Sequence, residues 1–205
     1  MTNETQSTND AHTARMKDVQ AAQRKKISEK KEADRGFILV NTGDGKGKSS
    51  SAFGMAIRSL GYDYKVGIVQ FIKGEILSGE EIFIRDKHPE VAFYQMGTGF
   101  TWNTQDRDGD IAAAETTWQQ ALAMLQDESL HLVVLDEITY MLAYKYLDED
   151  MIINAINNRP TEQTVVLTGR GGGKAIRELA DTVSEITDVK HAFRAGIKAR
   201  KGVDF

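Results

Sequence analysis

The chain has 205 residues, 40% of them hydrophobic and 27% charged, with a formal net charge of −4, the size and balance of one soluble domain with a single packed core. The acidic balance argues against a general nucleic-acid coat, and no apolar run approaches the roughly 18 residues of a membrane span. The absence of cysteine excludes disulfides, thiolate nucleophiles and cysteine-ligated metal centres. The first 30 residues lack the apolar core of a signal peptide, and their acids Glu4, Asp10, Asp18 and Glu29 speak against a transit peptide. The expected location is cytoplasmic, with neither nucleic acid nor membrane as partner.

Two segments follow from composition. Residues 1–35 are polar, then strongly charged through Arg24, Lys25, Lys26, Glu29, Lys30 and Lys31. Met16, Val19 and Ile27 could line part of a helix, but so thin a stripe leaves a lone helix marginal in water. This arm reads as flexible or conditionally helical, with ordering over a site or a neighbouring subunit as the functional alternative. Residues 36–205 read as the folded domain. Phe37 to Asn41 predicts a strand, Ser49 to Leu60 a helix and Lys65 to Ile72 a strand, an alternation that implies a mainly parallel α/β sheet flanked by helices. After a glycine-punctuated stretch from Gly74 to Gly79, Val91 to Gln95 predicts a further strand. The segment Gly97 to Asp110 reads as a loop long enough to carry function. Ile111, Ala114, Trp118, Leu122 and Leu125 recur at helical spacing, so Asp110 to Gln126 is expected to be helical, with Asp110 as its cap and Trp118 in the core. His131 to Leu135, Thr164 to Leu167 and Val183 to Ile186 complete the predicted strands, and another helical stretch begins at Asp148.

The strongest chemical signal lies between the first predicted strand and helix, Thr42-Gly43-Asp44-Gly45-Lys46-Gly47-Lys48-Ser49. This is a P-loop in the context it requires. Its glycines let backbone N–H groups approach phosphate oxygens, the following helix directs its positive end at the anion, Lys48 adds a charge and Ser49 a hydroxyl for Mg²⁺. Thr42 departs from the general pattern, which places glycine there. Leu132-Val133-Val134-Leu135-Asp136-Glu137 fits the second half of such a site, an apolar strand carrying carboxylates to the sheet edge where ligands bind. Asp136 and Glu137 are the candidate metal carboxylates, direct or through water. Thr168-Gly169-Arg170 follows another strand, and the forked guanidinium of Arg170 suits phosphate oxygens. Arg58, late in the first helix, reads on its own as a surface cation. Phe100 and Trp102 stand on a loop among small and polar residues, where aromatics can stack on a flat ligand or plug into the core. The four histidines show no metal-ligand spacing.

Taken in order, these segments resemble the P-loop type of ATP:corrinoid adenosyltransferase, the cob(I)alamin or cob(I)yrinic acid a,c-diamide adenosyltransferase family. The resemblance runs nearly continuously from Gly36 to Phe205: TGDGKGKSSSAFG from Thr42, VGIVQFIKG from Val66, GTGFTWNTQDR from Gly97, VVLDEITY from Val133, TGR from Thr168, ADTVSE from Ala180, KHAF from Lys190 and GVDF from Gly202. It implies a RecA-like fold, a homodimer, and transfer of the 5′-deoxyadenosyl group of ATP to Co(I) of a corrinoid with release of triphosphate, in adenosylcobalamin biosynthesis or salvage. By the same resemblance Gly43, Asp44, Gly45, Lys46, Gly47, Lys48 and Ser49 bind the triphosphate. Ser49 and Glu137 hold Mg²⁺, with Mn²⁺ as a substitute, and Arg58 and Arg170 assist the nucleotide. Lys48, Phe100 and Trp102 are the implied catalytic residues, the two aromatics keeping a lower axial ligand off cobalt so that Co(II) is more easily reduced. The implied partners are ATP, a corrinoid (cobalamin, cobinamide or cobyrinic acid diamide) and a reduced flavodoxin-like flavoprotein. Gly171-Gly172-Gly173-Lys174 departs from the bulkier sequence expected after TGR. Two other classes remain open to the residues themselves: an ATP hydrolase in which Glu137 activates water, and a nucleotide-binding module without chemistry.

Overall fold

The computed structural model describes residues 3–72, 77–97, 106–171 and 173–205. Two units emerge, Met1–Asp34 and Arg35–Phe205.

In the first unit, Asn3–Ser28 forms helix α1. No glycine or proline interrupts residues 1–35, and Ala, Gln, Lys and Arg recur through the helix, so intrinsic propensity favours it. Lys25 and Lys26 in the last turn complement the helix dipole. Every described side chain of α1 is exposed, Met16, Val19 and Ile27 included.

The second unit is built on six strands, β1 (Ile38–Thr42), β2 (Val66–Gln70), β3 (Ala92–Gln95), β4 (Leu132–Asp136), β5 (Thr164–Thr168) and β6 (Thr182–Glu185). Their order is β3-β2-β4-β5-β1-β6 and every pairing is parallel. Parallel neighbours need crossovers, and helices supply them on both faces: α2 (Lys48–Leu60), α3 (Gly79–Lys87), α4 (Arg107–Gln126), α5 (Ile138–Ala143), α6 (Glu149–Asn157) and α7 (Lys174–Leu179). This is the RecA-like P-loop α/β fold, with β5 inserted between the P-loop strand β1 and the carboxylate strand β4.

The central strands are apolar almost throughout because both faces are covered. On one face Ala52, Phe53 and Ala56 of α2 and Ile84 of α3 pack on Val66, Ile68, Val134 and Val166. On the other, Trp118, Ala121 and Leu125 of α4, Ile138, Met141, Ile152, Ile156 and Ile176 cover Val69, Val133, Leu135, Val165 and Leu167. Truncating one of these, Leu135→Ala for instance, costs about 2–5 kcal/mol.

Two sequence expectations are corrected. Helix α4 begins one turn before Asp110: Asp106 is the cap, its Oδ1 accepting from Gly109 N at 3.1 Å. Asp110 is instead buried inside the helix, where its Oδ2 accepts from the Tyr146 hydroxyl at 3.2 Å. Helix α3 stands within the glycine-punctuated stretch and its continuation, capped by Ser78, whose hydroxyl accepts from Glu81 N. A nine-residue helix offers too few turns for its period to register.

Candidate functional site

All six strands deliver their carboxyl ends to one edge, and the chemically able residues collect there. The turn from β1 into α2 is the P-loop. Thr42, where the general pattern has glycine, is the buried last residue of β1, and its carbonyl accepts from Ile186 N at 2.8 Å. The chain turns one residue later at Gly43, which has φ +97° and whose missing Cβ would lie 2.5 Å from the Ile186 carbonyl oxygen. Gly45 N donates to that same carbonyl at 2.7 Å, so β6 and its continuation brace the loop. Asn41 Nδ2 reaches the carbonyl of Lys48 at 3.5 Å and Ser51 Oγ at 3.3 Å. Lys48 is buried and donates to the Gly45 carbonyl at 2.8 Å. Burial lowers its pKa, with Glu137 the largest opposing influence. Helix α2 has no acid in its first turn, and its first amides lack intrahelical acceptors. The turn is therefore suited to an anion.

Across β5, the turn from β4 into α5 holds two carboxylates in different states. Both oxygens of Asp136 are engaged: Gln70 Nε2 donates to Oδ2 at 2.9 Å and Thr168 Oγ1 to Oδ1 at 2.6 Å. Glu137 takes a left-handed backbone conformation with φ 59°, a cost of about 1–2 kcal/mol for a residue with a Cβ. Its N–H donates to Thr168 Oγ1 at 2.9 Å, while its buried Oε2 has no hydrogen-bond partner among the described residues. Burial, and next the Asp136 charge, raise the Glu137 carboxyl to about 7, opposed by Lys48 and Arg170.

Arg170 approaches from β5. Its backbone is pinned, since Thr139 Oγ1 donates to the Arg170 carbonyl at 3.2 Å. The preceding Gly169 has φ +142°, and a Cβ there would come 2.2 Å from Thr139 Oγ1. Gly45, Lys46, Gly47, Lys48, Ser49, Asp136, Glu137 and Arg170 line one cavity of about 760 Å³. Asp44 and Arg170 face an adjoining space of about 550 Å³ with His191 and Arg194. Arg58 stands apart, exposed in the last turn of α2 and outside both cavities. Phe100 and Trp102 lie outside the described residues, as does Gly172 of the glycine run.

Four residues of the site were not singled out from sequence: Gln70, Thr168, Tyr140 and Asp204. Gln70 and Thr168 did carry a signal, each being the polar residue that closes an apolar strand, just as Asp136 closes β4. Tyr140 and Asp204 line the larger cavity with no such mark.

A parallel sheet with a glycine-rich strand-to-helix turn, a buried lysine and a carboxylate strand one position removed defines a P-loop nucleotide-binding protein. The family model of the ATP:corrinoid adenosyltransferase BtuR/CobO/CobP matches residues 34–205. A corrinoid adenosyltransferase of Pseudomonas aeruginosa is 50% identical over 203 residues, covering 99% of this chain and 100% of the relative. One from Escherichia coli (strain K12) is 53% identical over 172 residues, 84% of this chain and 87% of the relative. Another, from Sinorhizobium sp., is 43% identical over 196 residues, 95% of this chain and 91% of the relative. The chain belongs to the ATP:corrinoid adenosyltransferase family. Its activity is ATP:corrinoid adenosyl transfer in cobalamin biosynthesis.

Proposed function

We propose that the cavity of about 760 Å³ binds the triphosphate of ATP and presents the ribose C5′ carbon to a corrinoid Co(I). Gly43 to Ser49 hold the phosphates in this reading, Lys48 neutralises the leaving group and Arg170 adds a forked donor. The observation that carries it is the convergence of Gly45 to Ser49, Glu137 and Arg170 on one cavity in a chain of this family. Arg58 lies outside that cavity, and its assistance to the nucleotide rests in this reading on family resemblance.

The chemistry asks little else of the protein. The cobalt electron pair forms the Co–C bond as the C5′–O bond breaks, and the electrons of that bond leave on triphosphate. No proton moves, so no general base is required; alignment and charge neutralisation are what the side chains supply.

Oxygen donors also suit a hard divalent cation. Glu137 Oε2 is buried with no partner among the described residues, and Ser49 lines the same cavity. Both fit Mg²⁺, or Mn²⁺ in its place, while Asp136, each of whose oxygens already accepts one hydrogen bond, from Gln70 or Thr168, would act directly or through water. Among the described residues no three His, Cys, Asp or Glu side chains gather as a metal site, which favours a cation shared with the phosphates. Such a cation would help neutralise the departing triphosphate.

Phe100 and Trp102 face the corrin in this reading, on family resemblance, and displace the lower axial ligand so that a flavodoxin-like donor can reduce Co(II). The acceptor is a cobalamin, cobinamide or cobyrinic acid diamide. A homodimer belongs to this reading on family resemblance, with exposed Val189 and Ile197 of the C-terminal segment open to a partner. A cytoplasmic setting accords with a flavoprotein donor. Residues 1–35 act as the arm and 36–205 as the catalytic domain.

The test is an anaerobic reaction of the protein with ATP, Mg²⁺ and chemically reduced cobalamin. Equal amounts of a light-sensitive Co–C product and triphosphate are expected. Release of ADP and phosphate with the corrinoid untouched would overturn this reading in favour of a hydrolase.

A further inference from the structure

The P-loop carries a second lysine, Lys46, whose ammonium is engaged 158 residues away. It forms an ion pair with Asp204 Oδ1, while Asp204 Oδ2 accepts from Arg200 N at 2.8 Å. The last residues are folded into a closed turn. Asp204 N and Val203 N donate to the Arg200 carbonyl at 2.8 and 3.1 Å, and Gly202 N to the Phe205 carbonyl at 2.7 Å. Gly202 allows the turn with φ +79°. Gly202, Val203, Asp204 and Phe205 all line the cavity that Lys48 and Glu137 line. The hydrogen bond from Lys46, and next that from Arg200 N, hold the Asp204 carboxyl below the usual carboxylate range, so the pair is ionised at neutral pH.

We propose that Asp204 is a positioning residue for ATP: by holding Lys46 it fastens the C-terminal turn against the P-loop as a wall of the nucleotide cavity. This rests on the nucleotide reading of that cavity. Two opposite effects of the carboxylate decide the matter. As a bystander, Asp204 would only repel the triphosphate, and its neutralisation would tighten ATP binding. As the anchor of the wall, its neutralisation frees both Lys46 and the turn, and ATP binding weakens.

The experiment uses the full chain and measures the Kd of ATP with Mg²⁺ by calorimetry, then KM and kcat with prereduced cobalamin. Asp204→Asn is expected to raise Kd and KM about fivefold, the scale of one partly exposed ion pair, with kcat within about twofold. Asp204→Glu is expected to restore Kd to within about twofold. Because Asp204 acts through Lys46, adding Asp204→Asn to Lys46→Met is expected to change Kd by less than about twofold, the mark of a coupled pair. Unchanged or tighter ATP binding by Asp204→Asn overturns the proposal, as does the same weakening in both backgrounds. Wild-type protein that binds no ATP overturns the nucleotide reading first and this one with it.

Discussion

Two turns at the same sheet edge solve opposite problems. The β1–α2 turn is braced from within: Ile186 takes the Gly45 amide, Asn41 ties down the helix start, and Lys48 rests on the Gly45 carbonyl, while the first amides of α2 keep no intrahelical acceptor. The β4–α5 turn is strained, with a left-handed Glu137 and a buried carboxylate oxygen without a partner among the described residues. The first is a cradle already built by the chain's own contacts. The second stores cost, which a cation or the nucleotide can relieve, and residues held this way concentrate at functional sites.

The largest effect should come from emptying the cradle. Lys48→Ala is expected to lower kcat/KM for prereduced cobalamin by about 10²–10³-fold, the scale of one lost charge-stabilising donor, with little change in thermal unfolding. Thr168→Val strikes the link between the two turns, since Thr168 Oγ1 both donates to Asp136 and accepts from Glu137 N. Two buried groups lose their partner, and urea unfolding should register a loss of about 2–3 kcal/mol.

Asp136 and Glu137 give the sharpest contrast. Asp136→Asn turns one satisfied oxygen into a donor facing a donor and should destabilise the ligand-free protein by about 1–2 kcal/mol. Glu137→Gln removes a carboxyl whose charged form burial disfavours and should stabilise the protein by about 1 kcal/mol, while weakening the dependence of transfer on Mg²⁺ concentration. Unfolding curves that move in the same direction for both would erase the distinction.

The smallest effect lies outside both turns. Hydrogen bonds from Arg35, then from Ile38 N, hold the Asp181 carboxyl down at about 2. A depressed carboxylate stabilises above its unfolded pKa, so this contribution is present above pH 4 or so, fades as pH falls toward 2 and is gone below. Asp181→Asn should remove about 1 kcal/mol at pH 7, given the exposure of Arg35, and flatten stability between those pH values.

The cradle was legible because its residues are consecutive and its neighbours switch from a strand to a helical period. Asp136 and Glu137 were legible for the same reason, but their division of labour was not. It depends on Gln70, which pairing of β2 with β4 sets opposite Asp136, and on Thr168 from β5. Sequence distances of 66 and 32 residues are closed only by the sheet register. The start of α4 was missed because Asp106 caps it through a side chain, one turn before the apolar stripe begins. Helices α5 and α7, six residues each, hold too few turns to show a period. Lys46 was counted with the P-loop, yet its partner became visible only once the chain had folded.

Strand β5 separates the lysine strand from the carboxylate strand, and it also sends out the turn that carries Arg170. A single small hydroxyl on that strand, Thr168, touches both acidic residues. Any movement of β5 against β4 is therefore felt by Asp136 and Glu137 together, through one oxygen atom.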